Sequence, residues 1–183
     1  MASSQINPVP RFGITVPGKK SKPRFAAQLF EYFYVVHYQV NMVLEDVMRG
    51  PLTRKEAALI FLLYAEGGKE SCLPRKLIVE RLDSWFDATS SNVTKIIARL
   101  ASTTMGLVAV THLPGSARDK RISLSPKGSA LIQSMLKKGE NYSELLLEGL
   151  SDAQIRAGVE FFRAASSFTG TLLPLKKLNL RGA

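Results

Sequence analysis

The side chains best equipped for chemistry in this chain form a polar row followed by a basic hairpin. Ser90, Ser91, Asn92, Thr94, Lys95 and Arg99 interleave with Val93, Ile96, Ile97 and Leu100, which recur at helical spacing. The apolar set predicts one buried face of a helix, and the polar set falls mostly off that face. Short hydroxyl and amide groups at a helix start can reach base edges and phosphates, and the helix's own amides favour an anion. Ser and Thr at such a position are also ordinary helix caps. The helix is expected to start near Ala88 and to end in Ser102-Thr103-Thr104-Met105-Gly106.

A hairpin follows: Leu107 through His112, a turn at residues 113–117, and Arg118 through Leu124. Pro114-Gly115 marks the turn. The first strand alternates poorly, which suggests burial on both faces. Arg118, Lys120 and Arg121 are expected to project from or beside the tip. A narrow minor groove concentrates negative potential and accepts an inserted arginine, for which Arg118 is the choice. Asp119 offers the competing use, tying up one of these arginines.

The elements that must carry this pair occupy the rest of the chain. The 183 residues suit one domain with extensions, and the formal net charge is +10. Arg11, Lys19, Lys20, Lys22 and Arg24 supply half of that excess in residues 1–24, with no acid among them. Residues 1–23 therefore read as a flexible basic arm. Such clustering suggests a polyanion partner: nucleic acid first, an anionic membrane surface second, a solvated basic surface otherwise. No stretch has the roughly 18 apolar residues of a membrane span, and the N-terminus lacks a signal-peptide core, so a cytoplasmic protein is expected. The lone Cys72 excludes an internal disulfide and argues against a zinc site; it reads as a reduced thiol, with a redox sensor as the alternative.

Residues 25–48 read as one long helix, ended by Gly50-Pro51 and apolar nearly all round. In a chain this short, a partner subunit is a plausible cover. His37 and Asn41 lie on its main stripe, either as satisfied core polar groups or, with Tyr34 and Tyr38, as a seat for the polar end of a small ligand. Thr53 and Glu56 form a capping box that opens a core helix, which stops at Gly67-Gly68. A third helix runs from Lys76 to about Leu82, and residues 83–87 link it to the polar-faced helix, with Trp85 and Phe86 locking the two together. Ser125-Pro126 opens a fifth helix to about Glu148, softly interrupted near Gly139. Ser151 and Gln154 open a sixth, to about Ser167. The apolar tail from Leu172 to Leu180 is expected to pack on a partner chain or on the first helix.

The order of these elements resembles the MarR family of dimeric winged helix-turn-helix transcription regulators, over about residues 25–168. The residues that carry the resemblance are Leu52-Thr53; Ser91-Asn92-Val93-Thr94-Lys95-Ile96-Ile97-Ala98-Arg99-Leu100; Gly106-Leu107-Val108; Arg118 through Gly128; and Gly149-Leu150-Ser151-Asp152. Where the family places an Asp two positions before the wing arginine, this chain has Ser116. The join from Leu100 to Gly106 and the linker 83–87 are longer than the family's. The family's redox branch keeps its cysteine near the start of the first helix, where Cys72 is not.

The resemblance implies a mainly α fold with a small β-hairpin wing, that is, a winged helix-turn-helix plus a helical dimerisation region. Residues 51–124 would be the DNA-binding domain, and 24–50 with 125–183 the dimerisation region of a homodimer. A palindromic operator would be bound with half-sites about one helical turn, roughly 10 base pairs, apart. Many members are repressors released by aromatic or phenolic acids. Phe30, Tyr34, His37, Tyr38, Phe61 and Tyr64 would form the corresponding effector site, acting through dimer geometry. The alternatives are a DNA binder without sequence preference and a winged-helix module for protein contact. An enzyme is the third class. Its support is thin: His37 and His112 lie far apart, one Cys is present, and there is no phosphate loop or metal-ligand cluster. No catalytic residue, metal or cofactor is expected.

Overall fold

The computed structural model describes the backbone of residues 21–113 and 116–172, and the side-chain surroundings of residues 27–112 and 120–166. Residues 1–20 of the expected arm, the Pro114-Gly115 turn, the tail from 173 and the side chains of Arg118 and Asp119 lie outside the described set. The elements are α1 (Ser21–Val35), a π-helical stretch (Val36–Asn41), α2 (Met42–Arg49), α3 (Arg54–Glu66), β1 (Cys72–Pro74), α4 (Arg75–Phe86), α5 (Ser90–Ala101), β2 (Val108–Leu113), β3 (Ser116–Leu124), α6 (Pro126–Leu147) and α7 (Asp152–Leu172). This is a mainly α fold with a small β wing. The chain divides into two compact units, residues 1–47 and 48–183.

In the first unit, the expected single helix begins at Ser21 and carries the π-helical stretch in its middle. Its large side chains are open to solvent, Phe30 and Phe33 at 68% and 64% exposure. Neighbouring rings touch along it, with Tyr34–Tyr38 and His37–Tyr38 centroids both 4.8 Å apart.

The second unit is built around α3. Leu59, Ile60, Leu62 and Leu63 are all buried, as a helix with near-continuous apolar sequence requires. Its start is the expected capping box: the Glu56 amide donates to Thr53 Oγ1, and Glu56 Oε2 accepts from the Thr53 amide at 2.8 Å. Ile78 and Leu82 from α4, Val93, Ile97 and Leu100 from α5, and Ile132 and Met135 from α6 close the same core.

The sheet has one strand more than the sequence suggested. β1 pairs antiparallel with β3, giving the order β1-β3-β2. Leu73, Ile122 and Val110 stand in register, the first two buried and the third half-buried, so this row faces the core. The first hairpin strand is not buried on both faces. Past the adjacent buried pair Leu107 and Val108, Ala109, Thr111 and His112 are exposed. Ser125 fastens the root of the hairpin: its hydroxyl donates to the Gly106 carbonyl at 2.6 Å and accepts from the Gly128 amide at 3.0 Å, capping α6. Gly106 turns the chain with φ +57°, a conformation open to glycine at little cost.

Three details of the helices differ from expectation. The segment expected as a linker after Leu82 continues α4 to Phe86 and stops only at Asp87, whose φ of 50° ends the helix. Aspartate is one of the few non-glycine residues that visits this region readily. Trp85 does not lock helices; it is 45% exposed, while Phe86 packs on the core with the Arg54 guanidinium over its ring. Gly139 does not interrupt α6. A Cβ there would press on the Met48 side chain at 3.0 Å, so the glycine serves packing.

Candidate nucleic-acid interface

Capping settles which of the clustered hydroxyls are free for other work. Thr89 is the N-cap of α5, its side chain accepting from the Asn92 amide at 3.3 Å. Ser90 and Ser91 are therefore not caps. Ser90, Ser91, Asn92, Thr94, Lys95 and Arg99 are all exposed, while Val93, Ile97 and Leu100 are buried on the opposite side. One helix thus has its apolar side consumed by the core and its polar side unused by it.

The six are not equivalent. Arg99 Nη1 lies 3.1 Å from Glu56 Oε1. Glu56 is the only buried charged side chain among the described residues, and a buried carboxylate is costly unless paired. Arg99 therefore has a structural duty, while its side chain stays 57% exposed. Thr94 and Ser90 hydrogen-bond Arg75, a residue that sequence reasoning did not single out. Ser91, Asn92 and Lys95 make no side-chain hydrogen bond to another described residue.

A cleft of about 520 Å³ opens between the start of α3 and the polar face of α5. Arg54, Lys55, Asn92, Lys95 and Arg99 stand around it, with Glu56 as the single acid. Such a cationic channel beside a helix suits the backbone of a polyanion. Charge runs along the sequence could not show that the α3 and α5 cations share one wall.

In the hairpin, Lys120 is exposed, as expected. Arg121 does not project beside the tip. It sits mid-sheet opposite Pro74 and Thr111, half-buried, and its Nε is buried with no hydrogen-bond partner among the described residues. Arg118 lies in β3; its side chain is outside the described set.

The expected effector residues fall in both compact units: Phe30, Tyr34, His37 and Tyr38 in the first, Phe61 and Tyr64 in the second. Phe61 packs against the core of its unit, and Tyr64 is 42% exposed. Among the described residues no three His, Cys, Asp or Glu side chains group to hold a metal ion. No described helix is long and apolar enough to cross a membrane.

No family model and no curated protein matches this sequence. Solved structures do match in shape. A MarR family protein from Bacillus stearothermophilus superposes with a TM-score of 0.66 at 20% identity, over 79% of this chain and 95% of that one. This chain has the MarR winged-helix fold. A mutant of MepR from S. aureus, solved bound to an oligodeoxyribonucleotide, shares that fold with a TM-score of 0.55 at 17% identity, covering 76% of this chain and 98% of its own. The organohalide-sensing regulator RdhR, solved in its 2,4-dichlorophenol-bound form, matches with a TM-score of 0.56 at 15% identity, over 88% and 90%. In the MarR fold, α4 and α5 are the helix-turn-helix and β2–β3 the wing.

Proposed function

We propose that this protein is a sequence-specific, DNA-binding transcription regulator, working as a homodimer on a palindromic operator. The observation that carries this reading is the two-sidedness of α5. Its apolar side is spent on the core, and its polar side is presented to solvent next to a cationic cleft. A recognition helix needs that division, because its exposed end must enter the major groove without loosening its seat. The oligonucleotide held by MepR supports the same use of the shared fold.

The homodimer is supported by what the helices outside the core leave uncovered. Phe30, Phe33 and Tyr34 on α1 and Phe161 and Phe162 on α7 are at least half exposed or close to it. Patches of large apolar side chains on a small protein mark interaction surfaces. Residues 24–50 and 125–183 would supply the dimer, and 51–124 the DNA-binding part. The protein would work in the cytoplasm, as a binding protein and not as an enzyme.

We further propose repression, relieved by a small aromatic or phenolic acid, with Phe30, Tyr34, His37 and Tyr38 of the first unit and Phe61 and Tyr64 of the second as candidate contacts. The dichlorophenol in RdhR supports this ligand class. A melting-temperature screen of aromatic acids tests it, since a ligand of the native state raises that temperature. The DNA-binding reading is tested by mobility shift on the DNA upstream of the protein's own gene. A band that survives competitor DNA and weakens steeply with salt is expected. Equal affinity for random duplexes would make it a DNA binder without sequence preference.

A further inference from the structure

The start of α4 sends one side chain across the turn into the polar row of α5. Arg75 Nη2 donates to Thr94 Oγ1 at 2.7 Å, to Ser90 Oγ at 2.8 Å and, at 3.2 Å, to the Ser90 carbonyl. A guanidinium has only protons to give, so both hydroxyl oxygens must accept. Thr94 also gives its own proton to the Ser90 carbonyl at 2.9 Å. Its hydroxyl is thus engaged both as acceptor and as donor. Ser90 differs. Its oxygen accepts from Arg75, and its proton has no partner among the described residues. A hydroxyl that accepts from a cation becomes a better donor, because chained hydrogen bonds polarise one another. Ser90 is exposed on the first turn of α5 and is not the cap.

We propose that Arg75 is a positioning residue that decides what α5 reads: it sets Ser90 as an outward hydrogen-bond donor and withdraws Thr94 from the DNA. This end of the helix then selects base edges that carry acceptors, guanine N7 and O6 or thymine O4. It disfavours cytosine, which offers only N4 protons, most, and adenine, whose N7 acceptor stands beside the N6 amino protons, less. Lys95, exposed elsewhere on α5, adds donors only. The inference rests on the DNA-binding reading above and names the chemistry of its operator.

The test is selection from a random duplex library with the full-length protein, followed by sequencing of the bound pool. Wild type, Ser90→Ala and Arg75→Ala are compared after thermal melts confirm folding. Wild type is expected to return a symmetric motif with guanine or thymine at one position per half-site. Ser90→Ala and Arg75→Ala should each flatten preference at that same position by about tenfold, the scale of one good base contact. Should Arg75→Ala fail to fold, Ser90→Ala decides alone, since its exposed side chain supports no packing. A wild-type motif that Ser90→Ala leaves intact overturns the proposal while sparing the DNA-binding reading. A wild-type pool without any motif overturns both.

Discussion

The body of the winged unit and the helices α1 and α7 treat their large side chains in opposite ways. In the first, Leu59, Ile60, Leu63, Ile78 and Leu82 are fully buried. In the second, Phe30 and Phe162 are 68% and 67% exposed. Both regions are rich in apolar residues, so composition does not separate them. The difference is whether one chain can supply the opposing surface. The winged unit completes its core from its own helices and sheet. The aromatic side chains of α1 and α7 stay exposed, and under the proposed homodimer a second copy would cover them.

That contrast can be broken or sharpened by experiment. The largest effect is expected from Leu59→Ala, which opens a cavity at the centre of the winged unit. It should cost about 2–5 kcal/mol and lower the melting temperature of the whole transition. Gly128→Ala belongs beside it, because a Cβ there would fall on the Leu107 carbonyl. Overpacking of this kind costs roughly 1–3 kcal/mol.

Phe162→Asp attacks the other region. Its ring is worth about 1.5–3 kcal/mol if a second copy buries it, so sedimentation should shift from two chains to one at micromolar concentration. Far-UV circular dichroism should stay the same. A variant that remains dimeric would remove α7 from the interface.

Glu56→Ala sits where the core meets the polar face of α5. It removes a capping interaction worth about 0.5–2 kcal/mol and releases Arg99 from its only described partner. Stability should fall by that amount, and DNA affinity should change as well, measured by melting and mobility shift. The smallest effect is expected from Lys95→Ala, which should leave the melting temperature in place. It should weaken affinity and alter the sequence preference of the selected duplexes.

The sequence made some of this legible and concealed the rest for physical reasons. Local signals read correctly: the Thr53–Glu56 box, the Ser125-Pro126 start, and the spacing of Val93, Ile97 and Leu100 all act within one or two turns. Long-range uses of the same residues did not. Glu56 announces itself as a cap, yet nothing local says that its other oxygen meets Arg99. Arg75 looks like an unremarked helix start until folding sets it beside Ser90 and Thr94. β1 is three residues long and ends in proline, too short for any periodicity to register. The π-helical stretch changes hydrogen-bond spacing without changing residue types. Among the site residues, exposure of the α5 row follows from its pattern. The burial of Arg121 depends on β1, and it was hidden with that strand.

The strand order carries one mechanical consequence. Pro74 is zipped to Arg121 of the hairpin, and the very next residue is Arg75. If DNA is bound as proposed, a tug that a phosphate exerts on the wing would be delivered, one peptide bond later, to the guanidinium that holds Ser90 and Thr94 of α5. Groove and flank would be sensed together, like two fingers on one tendon.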